Sequence, residues 1–144
     1  MGESNQQQVP LKEGFWTPGT PDGGPRLIGS RCTNCGEIYF PKKPKGWCLH
    51  CQQQTLEEML LSPRGKISAV TVVRQPPAGG FYHGPVPYAY GLVDLSDGLR
   101  LVSQITADDL ESIPVGGEAE LVIKPLYQDA EGREVMTFMF TPVA

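Results

Sequence analysis

The 144-residue sequence lacks features that would assign it to several common classes of protein. No apolar run approaches the roughly 20 residues that a membrane-spanning helix needs. The first ten residues, MGESNQQQVP, carry no basic patch followed by an apolar core, and no Ser or Thr stands at position 6. Neither a secretory signal nor the myristoylation pattern is therefore present. These absences predict a cytoplasmic protein without a membrane anchor.

Positive charge is also scarce. The chain has 12 basic and 16 acidic residues, which gives a net charge of −4 and a pI near 5.1. Proteins that bind nucleic acid without sequence preference gain affinity from clustered Lys and Arg, because these release counterions. The composition therefore argues against a nucleic-acid binder, with one local exception at Lys42, Lys43 and Lys45.

Residues suited to nucleophilic catalysis are few. The chain has two histidines, His50 and His83, and no nucleophile-elbow pattern around its scattered serines. A catalytic nucleophile needs a base within hydrogen-bond reach and a group that orients the base. The carboxylates of Asp108, Asp109 and Glu111 cluster at a predicted helix start, where the helix dipole accounts for them. We predict no catalytic residue and expect a binding module or a non-catalytic enzyme subunit.

All four cysteines lie in residues 32–51, CTNCGEIYFPKKPKGWCLHC, as two Cys-x2-Cys pairs separated by twelve residues. In each pair two thiolates converge on one ion, and two pairs complete the closed tetrahedral site typical of structural zinc. The predicted zinc ligands are Cys32, Cys35, Cys48 and Cys51. Gly36 follows the first pair, where the turn commonly needs positive φ. A closed site leaves no open coordination position, so the metal is not expected to catalyse a reaction.

Other uses of the cysteines remain open at this point. Rubredoxin-type iron takes the same ligand set, and two disulfides would satisfy the same count, although a cytoplasmic chain should not keep them. A redox-active thiol pair would be expected as a lone motif at a helix start. His50 stands next to Cys51, which already completes the ligand set, and is interpreted as a solvent-facing turn residue.

The remaining pattern predicts a mainly β protein. Glycine and proline together make up 31 residues, which favours short strands and turns. Residues 27–32 and 38–44 are predicted ribbon strands, and residues 52–62 read as a connector. Predicted strands follow at 65–73, 88–95, 99–105, 119–127 and 134–141, with a short helix at 107–114. Three strands, a helix and two strands is the order of the five-stranded OB-fold barrel.

This reading divides the chain into three parts. Residues 1–13 are a flexible tail, 14–62 an N-terminal segment with a rubredoxin-like zinc ribbon, and 63–144 an OB-fold domain. The connector at 74–88, RQPPAGGFYHGPVPY, is long and aromatic for a compact domain. Loops after the first OB-fold strand belong to the ligand-facing set, so this connector is a candidate binding loop. Alternatively, its aromatic residues cap the open end of the barrel.

Three stretches together resemble a known family: Phe15-Trp16, the ribbon SRCTNCGEIYFPKKP…CLHC, and the strand GKISAVTVV. Over residues 14–141 the chain is similar to zinc-ribbon/OB-fold proteins, formerly catalogued as a domain of unknown function. The resemblance implies a non-catalytic accessory subunit that docks on a thiolase-fold enzyme and helps hold an acyl-CoA thioester. Members accompany archaeal thiolase and hydroxymethylglutaryl-CoA synthase, steroid side-chain aldolases, and benzoylsuccinyl-CoA thiolase of anaerobic aromatic degradation. The last is similar in size and layout, but the sequence does not select among them.

Coenzyme A pairs a polyanionic nucleotide end with a long, less polar arm. Lysines suit its phosphates and aromatic side chains suit an apolar channel. The candidate substrate- or CoA-binding residues are Lys42, Lys43, Phe81, Tyr82 and His83. For the lysines, a solvated ribbon face is the alternative.

Two other functions stay open. A single-stranded nucleic-acid-binding OB-fold needs a basic groove with stacking aromatics, and the predicted strands carry few cations. An iron electron-transfer protein would be red when purified.

Overall fold

The computed structural model describes residues 8–11, 14–17, 24–43, 45–76 and 84–143. Within these ranges the chain is mainly β, as predicted. The strands are β1 Gln8–Pro10, β2 Ile28–Cys32, β3 Ile38–Tyr39, β4 Leu56–Leu60, β5 Arg64–Val73, β6 Tyr88–Leu95, β7 Arg100–Ile105, β8 Glu118–Gln128 and β9 Glu134–Pro142. A 3₁₀ turn at Leu110–Ser112 lies between β7 and β8. None of the described helices has the length and apolarity to cross a membrane.

Five strands close into a barrel and confirm the predicted OB-fold. The hydrogen-bonded order is β5–β6–β7–β9–β8, and β8 pairs back onto β5. β7 and β9 run parallel, and the other barrel pairs are antiparallel. Each barrel strand begins and ends within one residue of its predicted range. Alternate side chains point inward, including the fully buried Ile67, Val93 and Phe140.

A bulge in β5 brings two backbones close together. The register between β5 and β6 shifts between Ile67 and Ala69. Gly91 lies opposite, and a Cβ atom there would collide with the carbonyl of Ala69. Only glycine fits this contact without movement of the strand, which is a common role for glycine at a barrel bulge.

The predicted short helix is a single 3₁₀ turn. Asp109 caps it, because its side chain accepts hydrogen bonds from the Glu111 amide (3.1 Å) and the Ser112 hydroxyl (2.7 Å). Pro114 follows within two residues of the turn, consistent with its predicted role in ending the helix.

The ribbon contains three strands in the order β3–β2–β4. β2 lies within the predicted 27–32 strand, whereas the predicted 38–44 strand ends at Tyr39. The interpretation of residues 52–62 as a connector was wrong, because Leu56–Leu60 pairs antiparallel with β2 along its full length. As an edge strand with exposed Glu57 and Glu58, β4 shows little apolar alternation.

The ribbon and the barrel share one apolar core. Leu27 and Leu61 are fully buried and belong to the same cluster as barrel residues such as Ile67 and Phe140. A continuous core makes the two units depend on each other for burial of their apolar side chains. The division at residues 62 and 63 stays a prediction.

Three aromatic rings also join the N-terminal segment, the ribbon and the barrel. Phe40 at the end of β3 meets Phe15 edge-on at 5.3 Å and Phe138 of β9 edge-on at 5.5 Å between ring centroids. Residues 8–10 of the predicted flexible tail form β1, which pairs parallel with β9 at Glu134–Met136. The N-terminal segment therefore contacts both units.

Candidate functional site

The two knuckles bring the four predicted ligands together. The sulfur atoms of Cys32, Cys35, Cys48 and Cys51 all lie within 4.8 Å of one another. Cys32 Sγ is 3.6 Å from Cys51 Sγ, and Cys35 Sγ is 3.6 Å from Cys48 Sγ. Tetrahedral zinc with Zn–S bonds of about 2.3 Å has sulfur–sulfur edges of about 3.8 Å. The donor set and its spacing therefore fit a closed, four-thiolate zinc site.

The two knuckle turns repeat each other. The carbonyl of Cys32 accepts from the Gly36 amide at 2.9 Å, and that of Cys48 accepts from the Gln52 amide at 2.8 Å. Gly36 has φ +83° and Gln52 has φ +59°. The predicted positive φ of Gly36 is confirmed. Gln52 was missed, although it stands at the same offset from the first cysteine of its pair, four residues on.

Burial and hydrogen bonds shift the pKa values of the thiols in opposite directions. Burial raises the pKa of Cys32, but the Thr55 hydroxyl, 3.0 Å from the sulfur, and the amides of Cys35 and Asn34 lower it to about 5. The Glu37 backbone lowers the pKa of Cys35, whereas burial and hydrogen bonds to the neighbouring cysteines raise it to about 12. Four thiols this close cannot all ionise alone, and a divalent cation supplies the balancing charge.

Tyr39 contacts the second knuckle through its hydroxyl group. Its hydroxyl lies 3.4 Å from Cys48 Sγ and accepts hydrogen bonds from the amides of Leu49 (3.1 Å) and His50 (3.3 Å). The hydrogen bond to Cys48 and burial raise the pKa of Tyr39, so the phenol stays protonated and donates to the sulfur. In the sequence Tyr39 stood out only as part of the ribbon motif. The structure makes it a positioning residue for the second knuckle.

We expect a Tyr39→Phe variant to bind zinc about 10- to 100-fold more weakly, the usual cost of losing a partner of a metal ligand. The two knuckle amides would also lose their acceptor. Competition with a chromophoric chelator measures the affinity. Tyr90→Phe on the barrel is the matched control and should leave it unchanged. Equal zinc affinity in Tyr39→Phe and the wild type would show that the hydroxyl does not support the site.

The two candidate lysines follow β3 in the ribbon. Lys42 Nζ is 2.8 Å from Glu58 Oε1, in an ion pair whose partners are both largely exposed. Lys43 places its Nζ 5.0 Å from the centroid of the Tyr39 ring, and its amide donates to Ser30 Oγ at 3.0 Å. Exposed ion pairs contribute little to stability. Lys42 can therefore exchange Glu58 for another anion at small cost.

The other candidates, Phe81, Tyr82 and His83, lie outside the described residues. The flanks of their loop border a cavity of about 760 Å³ at the mouth of the barrel. Apolar residues including Val72, Leu126 and Met139 line it, together with the carboxylates of the 3₁₀ turn. Glu111 of that turn forms an ion pair with Arg74. The rim carries three carboxylates and two cations, Arg74 and Lys124, so the apolar lining suits a moderately apolar group better than it suits a phosphate.

Two family models cover most of the chain. Residues 25–57 match the model described as "ChsH2, rubredoxin-like zinc ribbon domain". Residues 58–124 match the model described as "ChsH2, C-terminal OB-fold domain".

Two curated relatives are matched over most of their own length. A DUF35 domain-containing scaffold protein of Pyrococcus furiosus is 37% identical over 119 residues, 82% of this chain and 84% of the relative. The benzoylsuccinyl-CoA thiolase subunit BbsA of Geobacter metallireducens is 28% identical over 127 residues, 85% of this chain and 80% of the relative. Among solved structures, a chain of the Ltp2-ChsH2(DUF35) aldolase matches with a TM-score of 0.63 at 26% identity, covering 83% of this chain and 86% of that chain.

Proposed function

Because the chain belongs to the family of DUF35 domain-containing proteins, with ChsH2-type zinc-ribbon and OB-fold domains, we propose that it is a non-catalytic accessory subunit of a thiolase-type acyl-CoA enzyme complex. It docks on the thiolase-fold subunit and helps position the CoA thioester. One observation carries this proposal: the similarity extends over 82–85% of the chain to proteins named as a scaffold and as a thiolase subunit. The solved relative that pairs ChsH2 with an aldolase supports it.

The geometry of the metal centre fits an accessory role. Four protein sulfurs surround the ion position and leave no coordination site for a substrate. Zinc bound there joins the two knuckles and so fixes the ribbon, which shares its core with the barrel. Zinc would thus stabilise the fold and take no part in the reaction, which takes place on the partner subunit.

Activity of the complex tests this proposal. A thiolase-fold protein that co-purifies with this chain is assayed alone and together with it, for thiolytic cleavage of a carbon–carbon bond of the acyl-CoA substrate with free CoA as the acyl acceptor. Benzoylsuccinyl-CoA is the first substrate to try, because BbsA subunits from two organisms are 28% and 29% identical to the chain. We expect turnover or stability to depend on the added chain. An enzyme that keeps full turnover and stability without it would contradict the proposal.

We further propose that Lys42 and Lys43 meet CoA phosphates, while Phe81, Tyr82 and His83 border its pantetheine arm. The proposal is supported by the weak ion pair of Lys42 and by the absence of acidic residues from the sequence between Glu37 and Glu57. The ribbon is favoured over the barrel mouth as the place for phosphates, because the barrel mouth carries three carboxylates beside its two cations, Arg74 and Lys124.

A Lys42→Gln/Lys43→Gln variant should weaken binding of CoA to the assembled complex by at least about 10-fold, since each charged hydrogen bond that is lost contributes roughly 1.5–3 kcal/mol. The loss should be largest at low salt. Calorimetric titration measures it, with Lys66→Gln on β5 as the control for a general loss of charge. Unchanged affinity in the double variant, with zinc retained, would remove these lysines from the CoA site.

Single-stranded nucleic-acid binding is the second candidate. Tyr88 and Tyr90 stand on β6, their ring centroids 6.3 Å apart, on a face that OB-folds use for ligands. Stacking aromatics favour this function, although the net charge of −4 opposes it. Tight, salt-sensitive oligonucleotide binding that Tyr90→Ala abolishes would establish it.

A further inference from the structure

Two large apolar side chains project from the second knuckle. Trp47 is 49% exposed and Leu49 is 69% exposed, on either side of the buried ligand Cys48. Burial of an exposed tryptophan and leucine in a contact is favourable, and tryptophan is enriched among the residues that dominate binding energy at protein interfaces. This pair, Trp47 and Leu49, is called the knuckle patch below.

The backbone beneath the knuckle patch is held in place. The Gly46 carbonyl accepts from the Leu56 amide at 3.1 Å, and the Cys48 amide donates to the Gln53 carbonyl at 2.9 Å. The amides of Leu49 and His50 both donate to the Tyr39 hydroxyl. The patch is therefore presented by a rigid support, which lowers the entropy lost when a partner binds.

The stretch of sequence that carries the knuckle patch differs in charge from the rest of the chain. Between Glu37 and Glu57 the sequence carries three lysines and no acidic residue. The remainder carries nine basic and 16 acidic residues. Lys42 is paired with Glu58, but Lys45 is exposed two residues from Trp47, and its carbonyl accepts from Gln54 Nε2 at 2.8 Å. A complementary surface would have an acidic rim around an apolar pocket.

We propose that the knuckle patch is the centre of the surface by which this chain docks on its partner subunit, and that the partner offers an apolar pocket with acidic residues at its rim. This inference rests on the proposed function and names the docking surface for it. Metal binding and docking are thereby linked, because the metal ligand Cys48 lies between the two contact residues.

Titration of purified, zinc-loaded variants against the thiolase-fold subunit that co-purifies with this chain tests the proposal. Trp47→Ala should weaken binding by about 30-fold or more, the usual effect of removing an interface hot spot. Leu49→Ala should weaken it less, and Lys45→Glu should reduce binding most at low salt. Val115→Ala is the matched control, because Val115 is an apolar residue in the turn before β8 that is 64% exposed.

The outcomes distinguish failure of the docking surface from failure of the proposed function. If the wild type binds and all three patch variants bind equally well with zinc retained, docking occurs elsewhere and the proposed function stands. If the wild type binds no thiolase-fold protein, both proposals fail. If the wild type self-associates and Trp47→Ala abolishes this, the knuckle patch binds a second copy of this chain. That result would overturn the inference. If Trp47→Ala loses zinc, the binding affinities of Leu49→Ala and Lys45→Glu still show whether the knuckle patch contacts the partner.

Discussion

A Cys48→Ser variant should lose its metal and the folded ribbon. Cys48 is 1% exposed, and its sulfur lies 3.6 Å from Cys35 Sγ and 3.4 Å from the Tyr39 hydroxyl. A serine oxygen is a poor replacement for a thiolate ligand, and structural zinc supplies about 10–16 kcal/mol of apparent binding free energy in small zinc domains. Zinc content by mass spectrometry and far-UV circular dichroism measure the two losses.

His50→Ala is the control for this variant. His50 contributes its backbone amide to Tyr39, and its side chain is exposed beside the ligand Cys51. Full zinc content is therefore expected after its replacement. A Cys48→Ser protein that keeps its zinc and its spectrum would show that the ligand assignment is wrong.

The second large effect is expected from Leu61→Ala. Leu61 is 0% exposed and lies in the core that the ribbon and barrel share. Truncation of a buried leucine lowers the free energy of unfolding by about 2–5 kcal/mol. Because the core is continuous, the whole chain should unfold in one transition at a lower denaturant midpoint. Chemical denaturation followed by fluorescence and circular dichroism measures the number of unfolding transitions and the denaturant midpoint.

Leu49→Ala provides the matched comparison. The same chemical change at a side chain that is 69% exposed should alter stability by less than about 0.5 kcal/mol. Two separate transitions in the wild type, with only the ribbon affected by Leu61→Ala, would contradict a shared core.

The barrel could be predicted from sequence because its strands are β-branched and bounded by turn residues. Ser96-Asp97-Gly98 marked the β6–β7 hairpin, and the Cys-x2-Cys spacing marked the metal ligands. These signals are local. The closure of β8 onto β5 is not local, and it followed only from the order of the elements.

Features that depend on partners distant in sequence were missed. β4 carries exposed Glu57 and Glu58, so it looked like a connector until its pairing with β2 was known. The role of Phe40 depends on Phe15 and Phe138, which come from two other parts of the chain. Gln52 could have been found, because the parallel with Gly36 is visible in the spacing.

If this chain works as a subunit of a thiolase-type complex, it should be bound to a thiolase-fold protein in the cell. The most direct test is to recover the tagged chain from its native cells, with its zinc bound, and to identify by mass spectrometry what co-purifies in fixed ratio. We expect a thiolase-fold protein that stays bound through gel filtration. Recovery of the chain alone, or with nucleic acid in place of a thiolase-fold protein, would contradict this expectation.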